Sequence, residues 1–191
     1  MNKTYDRILE QAARLFRDKG YSASSMEDIA DAVGLKKGSL YYHFESKEQI
    51  LVEIMDSFTE KLQAPVLALI DNDELGSADK LRQAIKLHLG TLDSDNFEIT
   101  VFLLEFRALS EEHRQRTLQG RASYETTFRR LIAEGIERGE FMDVDVAMAA
   151  RAILGMCNWA TQWYSPHGKH TTDQIASIFS DLVLNGLLKQ R

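Results

Sequence analysis

Apolar residues recur every three or four positions along almost the whole chain, and no stretch alternates apolar and polar residues. A half-buried strand needs that period of two, and an amphipathic helix needs the other. Only Pro65 and Pro166 interrupt the pattern. The spacing predicts an all-α fold of about nine helices, arranged as one or two domains. The first helix runs over 4–19, with Ile8, Leu9, Ala12, Ala13 and Phe16 on one face and Gly20 ending it. A capping box, Ser25-x-x-Asp28, starts a second helix that Gly34 ends. A third covers about 37–44. Ser46-x-x-Gln49 caps a fourth, which carries Ile50, Leu51, Ile54, Met55, Phe58 and Leu62 and which Pro65 ends or bends. Further helices are expected at roughly 77–93, 96–107, 110–138, 143–164 and 171–188. Asp143 and Thr171 are their expected N-caps, Gly139 is a C-cap, and Pro166-His167-Gly168 is a turn.

The formal net charge is −6, which excludes a general nucleic-acid binder but not a local one. Residues 1–47 hold eight Lys/Arg and seven Asp/Glu, about +1, and the remainder carries −7. An acidic body with a near-neutral head and local basic clusters fits site-directed DNA contact. Cys157 is the single cysteine, so no intrachain disulfide can form and a reducing, cytoplasmic setting is expected. No basic-then-apolar leader opens the chain and no uncharged apolar run reaches membrane-spanning length, so no membrane association is expected.

The stretch Ser25 to Phe44 carries the most chemistry. Two short helices joined by a glycine turn, with polar groups on the second, describe a helix-turn-helix. The second helix of such a unit enters the major groove. Gly38 and Ser39 are small enough for the backbone to approach base edges, and Lys37 can reach guanine O6 or N7. Tyr41 and Tyr42 supply hydroxyl-tipped arms, His43 and Lys47 supply donors, and Leu40 and Phe44 point into a three-helix core. Spacing alone leaves open a second reading, surface packing in an ordinary helical protein.

From about residue 4 to 51 the chain resembles the DNA-binding domain of TetR-family transcriptional regulators. The residues that carry the likeness are Ala12-Ala13-x-Leu15-Phe16, Gly20-Tyr21, Ser25, Ile29-Ala30, Gly34, Gly38-Ser39-Leu40-Tyr41-Tyr42-His43-Phe44 and Ser46-Lys47-Glu48. They cover about a quarter of the chain. The resemblance implies a DNA-binding segment at 2–62, with the helix-turn-helix at about 25–44, and a ligand-binding, dimerising segment at 63–191. It implies DNA contacts from Ser25, Met26, Glu27, Lys37, Gly38, Ser39, Tyr41, Tyr42, His43 and Lys47. Lys37, Gly38, Ser39 and Tyr42 would read bases; Ser25, Tyr41, His43 and Lys47 would hold phosphates. The chain departs from the family at Lys36, where Ser or Thr is usual: a cap is given up and a charge is added that can touch phosphate. Glu27 is acidic where the family often faces DNA; it either reads a cytosine N4 or supports the cap.

The second segment to explain is Gly155 to Gly168. Gly155, Trp159 and Trp163 fall on one helical stripe, and Tyr164 follows. Dimer packing and a ligand wall are both open for it. The run Gly-Met-x-Asn-Trp-x-x-x-Trp-Tyr-x-Pro-x-Gly resembles the C-terminal domain of TetR-family repressors of fatty-acid or sterol breakdown that respond to acyl-CoA thioesters. That likeness implies an apolar tunnel with a basic mouth. Phe97, Ile99, Val101, Phe102, Leu103, Leu104 and Phe106 supply apolar surface, and Arg107, Arg121, Arg129 and Arg151 are candidates for phosphates. The expected ligand residues are Phe102, Phe106, Arg107, Arg121, Tyr124, Trp159, Trp163 and Tyr164. The expected dimer face is Ala152, Gly155, Met156 and Trp159 with Ile175, Ile178, Leu182 and Leu187, paired across a two-fold axis. The fourth helix is expected to be the only continuous link between head and body.

His43, His88, His113, His167 and His170 show no metal spacing with one another or with Cys157, and no nucleotide or hydrolase fingerprint is present. No catalytic residue, metal or cofactor is therefore expected. The reading is a dimeric, ligand-responsive transcriptional regulator, a repressor released from operator DNA by a small hydrophobic effector such as an acyl-CoA. The alternatives are an all-helical enzyme acting on an acyl-CoA or similar apolar substrate, which lacks a visible catalytic constellation, and a constitutive DNA-binding protein.

Overall fold

The computed structural model of the 191-residue chain describes residues 3–92, 101–102 and 104–187. Among these are eight α-helices and no strand: α1 (Lys3–Lys19), α2 (Met26–Val33), α3 (Lys37–His43), α4 (Lys47–Ile70), α5 (Ser77–Gly90), α6 (Glu111–Glu137), α7 (Val146–Trp159) and α8 (Thr172–Leu187). Short 3₁₀ turns lie at Glu105–Ala108 and Ala160–Gln162. The described residues pack as two units, one within Met1–Glu60 and Asn96–Gly120, the other within Lys61–Asp95 and Arg121–Arg191.

In the first unit the apolar stripe of α1 meets α2, α3 and the start of α4. Ile8, Phe16, Ile29, Leu40, Phe44 and Ile54 are fully buried there. Local chemistry sets the turns. Ser25 Oγ accepts from the Asp28 N–H at 3.1 Å, and Asp28 accepts from the Ser25 N–H at 2.7 Å, so the capping box closes in both directions. Gly34 takes the left-handed conformation, φ +68°, which costs a glycine nothing and reverses the chain into α3. Thr171 and Gln174 form a reciprocal cap at the start of α8 in the second unit, at 3.0 and 3.2 Å.

The N-terminal part of α6 belongs to the first unit. Glu48, in the first turn of α4, accepts from the Ser110 N–H at 2.5 Å and lies 2.9 Å from His113 Nδ1. These donors hold its carboxyl down at about 2. Arg116 pairs with Asp56 at 2.5 Å, and the Tyr5 hydroxyl donates to Glu53 at 2.8 Å.

In the second unit α5 packs along α8, with Arg82–Asp181 and Lys86–Asp173 ion pairs at 2.7 and 3.0 Å. Lys80 is fully buried; its ammonium donates to the Ile70 carbonyl at 2.9 Å and pairs with Glu134 at 2.8 Å. It thus satisfies an orphan carbonyl at the end of α4. Gly135 is buried against Phe141, whose ring fills the place of a side chain.

Four expectations change. Pro65 does not end the fourth helix, which continues to Ile70. Leu62, Val66 and Leu69 are buried at helical spacing across the proline, and their burial offsets the lost backbone bond. The cap of α7 is Asp145, accepting from the Met148 N–H at 3.0 Å, rather than Asp143. The segment expected as one helix over 143–164 stops at Trp159 and tightens into a 3₁₀ turn. α4 is not the only continuous link, because α6 also has residues in both units. Most of the helix expected at 96–107, with Phe97, Ile99 and Leu103, lies outside the described residues.

Candidate nucleic-acid interface and effector unit

The sequence builds α3 as a two-sided helix. Leu40 and Phe44 are buried, which fixes the helix against the core. Lys36, Lys37, Gly38, Ser39, Tyr41 and Tyr42 consequently face outward, with Tyr42 87 % exposed and His43 half-buried beside it. No Cβ at Gly38 would meet anything within 4 Å, so the backbone there is open to close approach. Lys36 has extended backbone angles and makes no side-chain cap bond, as its departure from the family pattern implied. One row of hydroxyl, ammonium and aromatic tips over an apolar anchor can donate to base edges and phosphates together.

Three members of the expected contact set have other work. Lys47 donates to the carbonyls of Tyr21 and Ser24, both at 2.6 Å, and its ammonium lies 4.2 Å above the Tyr21 ring. It ties the α1–α2 turn to α4. Met26 is buried in the head core, because the cap of α2 turns this first helical residue inward. Ser25 is exposed, but its hydroxyl is engaged with Asp28. Lys19 and Ser25 together hold the Asp28 carboxyl at about 2. Glu27 takes no part in the cap, which belongs to Asp28.

The ligand residues expected from sequence are shared between the two units. Phe102 and Phe106 pack against the head core, with Phe102 5.2 Å from Phe58; apolar surface in the first unit draws them in. Arg107 is exposed. In the second unit Trp159 is 66 % exposed and Trp163 48 % exposed, the latter edge-on to Phe179 at 6.4 Å. Tyr164 and Arg121 are half-buried. Arg129 and Arg151 both pair with Glu125, which offsets part of their charge.

Tyr124 is the one buried member, and it sits in a polar cluster that sequence reasoning missed. His88 is fully enclosed: Nδ1 lies 3.1 Å from the Tyr124 hydroxyl and Nε2 3.2 Å from Asn158 Oδ1. Phe128 packs against both rings. Burial drives the imidazole down to about 4 and pushes the Tyr124 hydroxyl up, so His88 is neutral and the phenol keeps its proton. The signal was in the sequence: His88 continues the stripe Leu81, Ala84, Ile85 at helical spacing.

On the outer side of α7 and α8, Met148, Ala152, Gly155, Trp159, Ile178 and Leu182 are exposed. An open groove of about 340 Å³ runs between them over Ile153, Met156 and Leu187. Of the residues expected on this face, Ile175 is buried in the unit's own core, and Leu187, also largely buried, floors the groove. Among the described residues no cluster of three or more His, Cys, Asp or Glu could hold a metal ion, and no helix is long and apolar enough to cross a membrane.

A short helix pair that anchors its second helix from below and shows polar tips above is the reading head of a sequence-directed DNA-binding protein. The chain belongs to the TetR family of bacterial transcriptional regulators. Residues 74–187 match the tetracyclin repressor-like C-terminal domain, and residues 8–54 match the bacterial regulatory proteins of the tetR family. The HTH-type transcriptional repressor KstR2 of Rhodococcus jostii (strain RHA1) is 31 % identical over 185 residues, covering 94 % of this chain and 89 % of that one. The TetR-family regulator PfmR of Thermus thermophilus superposes with a TM-score of 0.87 at 38 % identity, over 96 % of this chain and 100 % of that chain. AibR in complex with isovaleryl coenzyme A and operator DNA superposes with a TM-score of 0.83 at 29 % identity, over 94 % and 97 %.

Proposed function

We propose that the chain is a homodimeric repressor, with DNA binding in segment 2–62 and effector binding and dimerisation in 63–191. The contacts to DNA come from Lys36, Lys37, Gly38, Ser39, Tyr41, Tyr42 and His43, with Glu27 beside them. The observation that carries this is the anchoring of Leu40 and Phe44 in the core, which leaves the intervening tips turned out. One short helix reads too few bases alone, so two heads must meet two half-sites. The apolar outer face of α7 and α8 supplies the second requirement. A tryptophan, a methionine and two aliphatic residues exposed there form the kind of patch that a second copy covers.

The effector is a small hydrophobic molecule carried as a coenzyme A thioester. The likeness to a regulator that holds isovaleryl coenzyme A supports this class, and the likeness to a transcriptional repressor supports repression. Arg121, Tyr124, Trp159, Trp163 and Tyr164 are its proposed second-unit residues. An effector can release DNA only by binding the DNA-incompetent form better than the competent one. The test is to titrate a panel of acyl-CoA thioesters and the matching free acids against the protein bound to DNA selected from a random pool. Release by thioesters, weakened in Arg121→Ala, is expected. Release by free acids alone, or by neither, overturns the effector class.

A further inference from the structure

The first turn of α2 places Glu27 beside Lys37, the first residue of α3. The Glu27 carboxylate lies 3.7 Å from Lys37 Nζ, and the side chains are 70 % and 54 % exposed. No capping duty holds Glu27 in this position, since Ser25 and Asp28 close the cap of α2 between themselves. An exposed pair of this kind adds little stability. We infer that Glu27 and Lys37 form one base-reading unit that takes a C·G pair, or a cytosine and a guanine on adjacent pairs, in the major groove. The inference rests on the reading above that α3 enters that groove.

The chemistry of the groove makes the assignment. Guanine presents two acceptors there, N7 and O6, and cytosine presents a donor, its N4 amino group. An ammonium matches the first and a carboxylate the second. The two charged heads are separated by a distance close to the rise of about 3.4 Å between successive bases. They therefore fit groups on one pair or on neighbouring pairs and cannot span further. The carboxylate also selects by repulsion. Thymine O4 and guanine O6 and N7 are acceptors, so these bases set like against like, while adenine sets its N7 acceptor beside the N6 donor and is rejected less strongly. Beside a phosphate-lined groove an acidic side chain opposes binding to every sequence; Lys37 offsets part of that opposition everywhere and adds hydrogen bonds only where it finds guanine. Glu27 thus lowers affinity for DNA in general and raises selectivity.

The experiment uses the full chain. DNA is first selected from a random duplex pool with the wild-type protein. Every single-pair variant of the enriched site is then measured at fixed salt for wild type, Glu27→Ala, Glu27→Gln and Lys37→Ala. The side chains are exposed, so the variants should melt as wild type does. Glu27→Ala is expected to lose at least about fivefold in preference for cytosine at one position of each half-site, and to bind non-cognate DNA more tightly. Glu27→Gln is expected to shift that position toward adenine, because a glutamine amide matches adenine N6 and N7. Lys37→Ala should lose guanine preference at the same or the adjoining pair. If both Glu27 variants keep the wild-type preference at every position, the inference is overturned while the DNA-binding reading stands on the enriched motif. A wild-type protein that enriches no motif overturns both.

Discussion

The His88 imidazole lies against the Tyr124 ring at 5.7 Å between centroids, with Nδ1 3.1 Å from the phenolic oxygen. With Nε2–H donating to Asn158 Oδ1, Nδ1 accepts from the Tyr124 hydroxyl. It is burial that holds the imidazole neutral in this arrangement, because a charge enclosed here would lose its water.

This arrangement sets a pH dependence. Burial lowers His88 from its ordinary 6.5 to about 4, so between those values the unfolded chain binds a proton that the folded chain refuses. Stability is complete above about pH 6.5 and falls as the pH drops toward 4. The loss attributable to His88 is roughly 3 kcal/mol. Urea unfolding at a series of pH values should show this slope, and His88→Gln should start less stable at neutral pH and lose less across the window. A slope unchanged by the substitution would assign the dependence elsewhere.

Lys47 should act on stability before it acts on DNA. Replacing it with methionine removes two charge-assisted bonds, to Tyr21 and Ser24, and should cost about 1–3 kcal/mol. A residue on phosphate would change the salt dependence of DNA binding by about one ion when removed. For Lys47→Met the slope of log affinity against log salt should stay as in wild type, while Lys36→Ala should lower it.

Gly135 tolerates no side chain. A Cβ there would lie 2.2–2.8 Å from three atoms of the Phe141 ring, and that ring is buried with nowhere to move. Gly135→Ala should destabilise by about 1–3 kcal/mol through overpacking. The double variant Gly135→Ala with Phe141→Leu should recover part of the loss in thermal melts.

Leu182 is 64 % exposed, so Leu182→Asp should leave the fold intact and act only on assembly. Placed on the apolar face of α7 and α8, the charge should shift the protein from dimer to monomer at micromolar concentration. Analytical ultracentrifugation reads the shift, and operator affinity should fall with it. Gly155→Arg should behave alike, since among the described residues nothing beyond its own helix backbone and chain neighbours lies within 4 Å of its would-be Cβ.

Much of the head was legible because its determinants are local. The capping box at Ser25 and Asp28, the left-handed Gly34 and the split of α3 into buried Leu40 and Phe44 and outward Tyr41 and Tyr42 each depend on residues a few positions apart. Helical periodicity carried the rest of the all-α reading. At Pro65 spacing left both an end and a bend open, and only the burial of Val66 and Leu69 shows why the helix continues to Ile70.

By itself the sequence determined most of the helices, the caps at Ser25 and Thr171 and the family, because periodicity, turn chemistry and an ordered motif are properties of neighbours along the chain. Only the tertiary structure decided what each polar or aromatic side chain meets. It turned Met26 inward, engaged Lys47 with two carbonyls, drew Phe102 and Phe106 onto the head core, and enclosed Lys80 and His88. Residues at these positions are chosen by groups far away in sequence: Lys47 finds Tyr21, Lys80 finds Glu134, and His88 finds Asn158. Such partners become visible only when helices pack, because desolvation and hydrogen-bond reach act over ångströms in space and carry no trace in spacing along the chain.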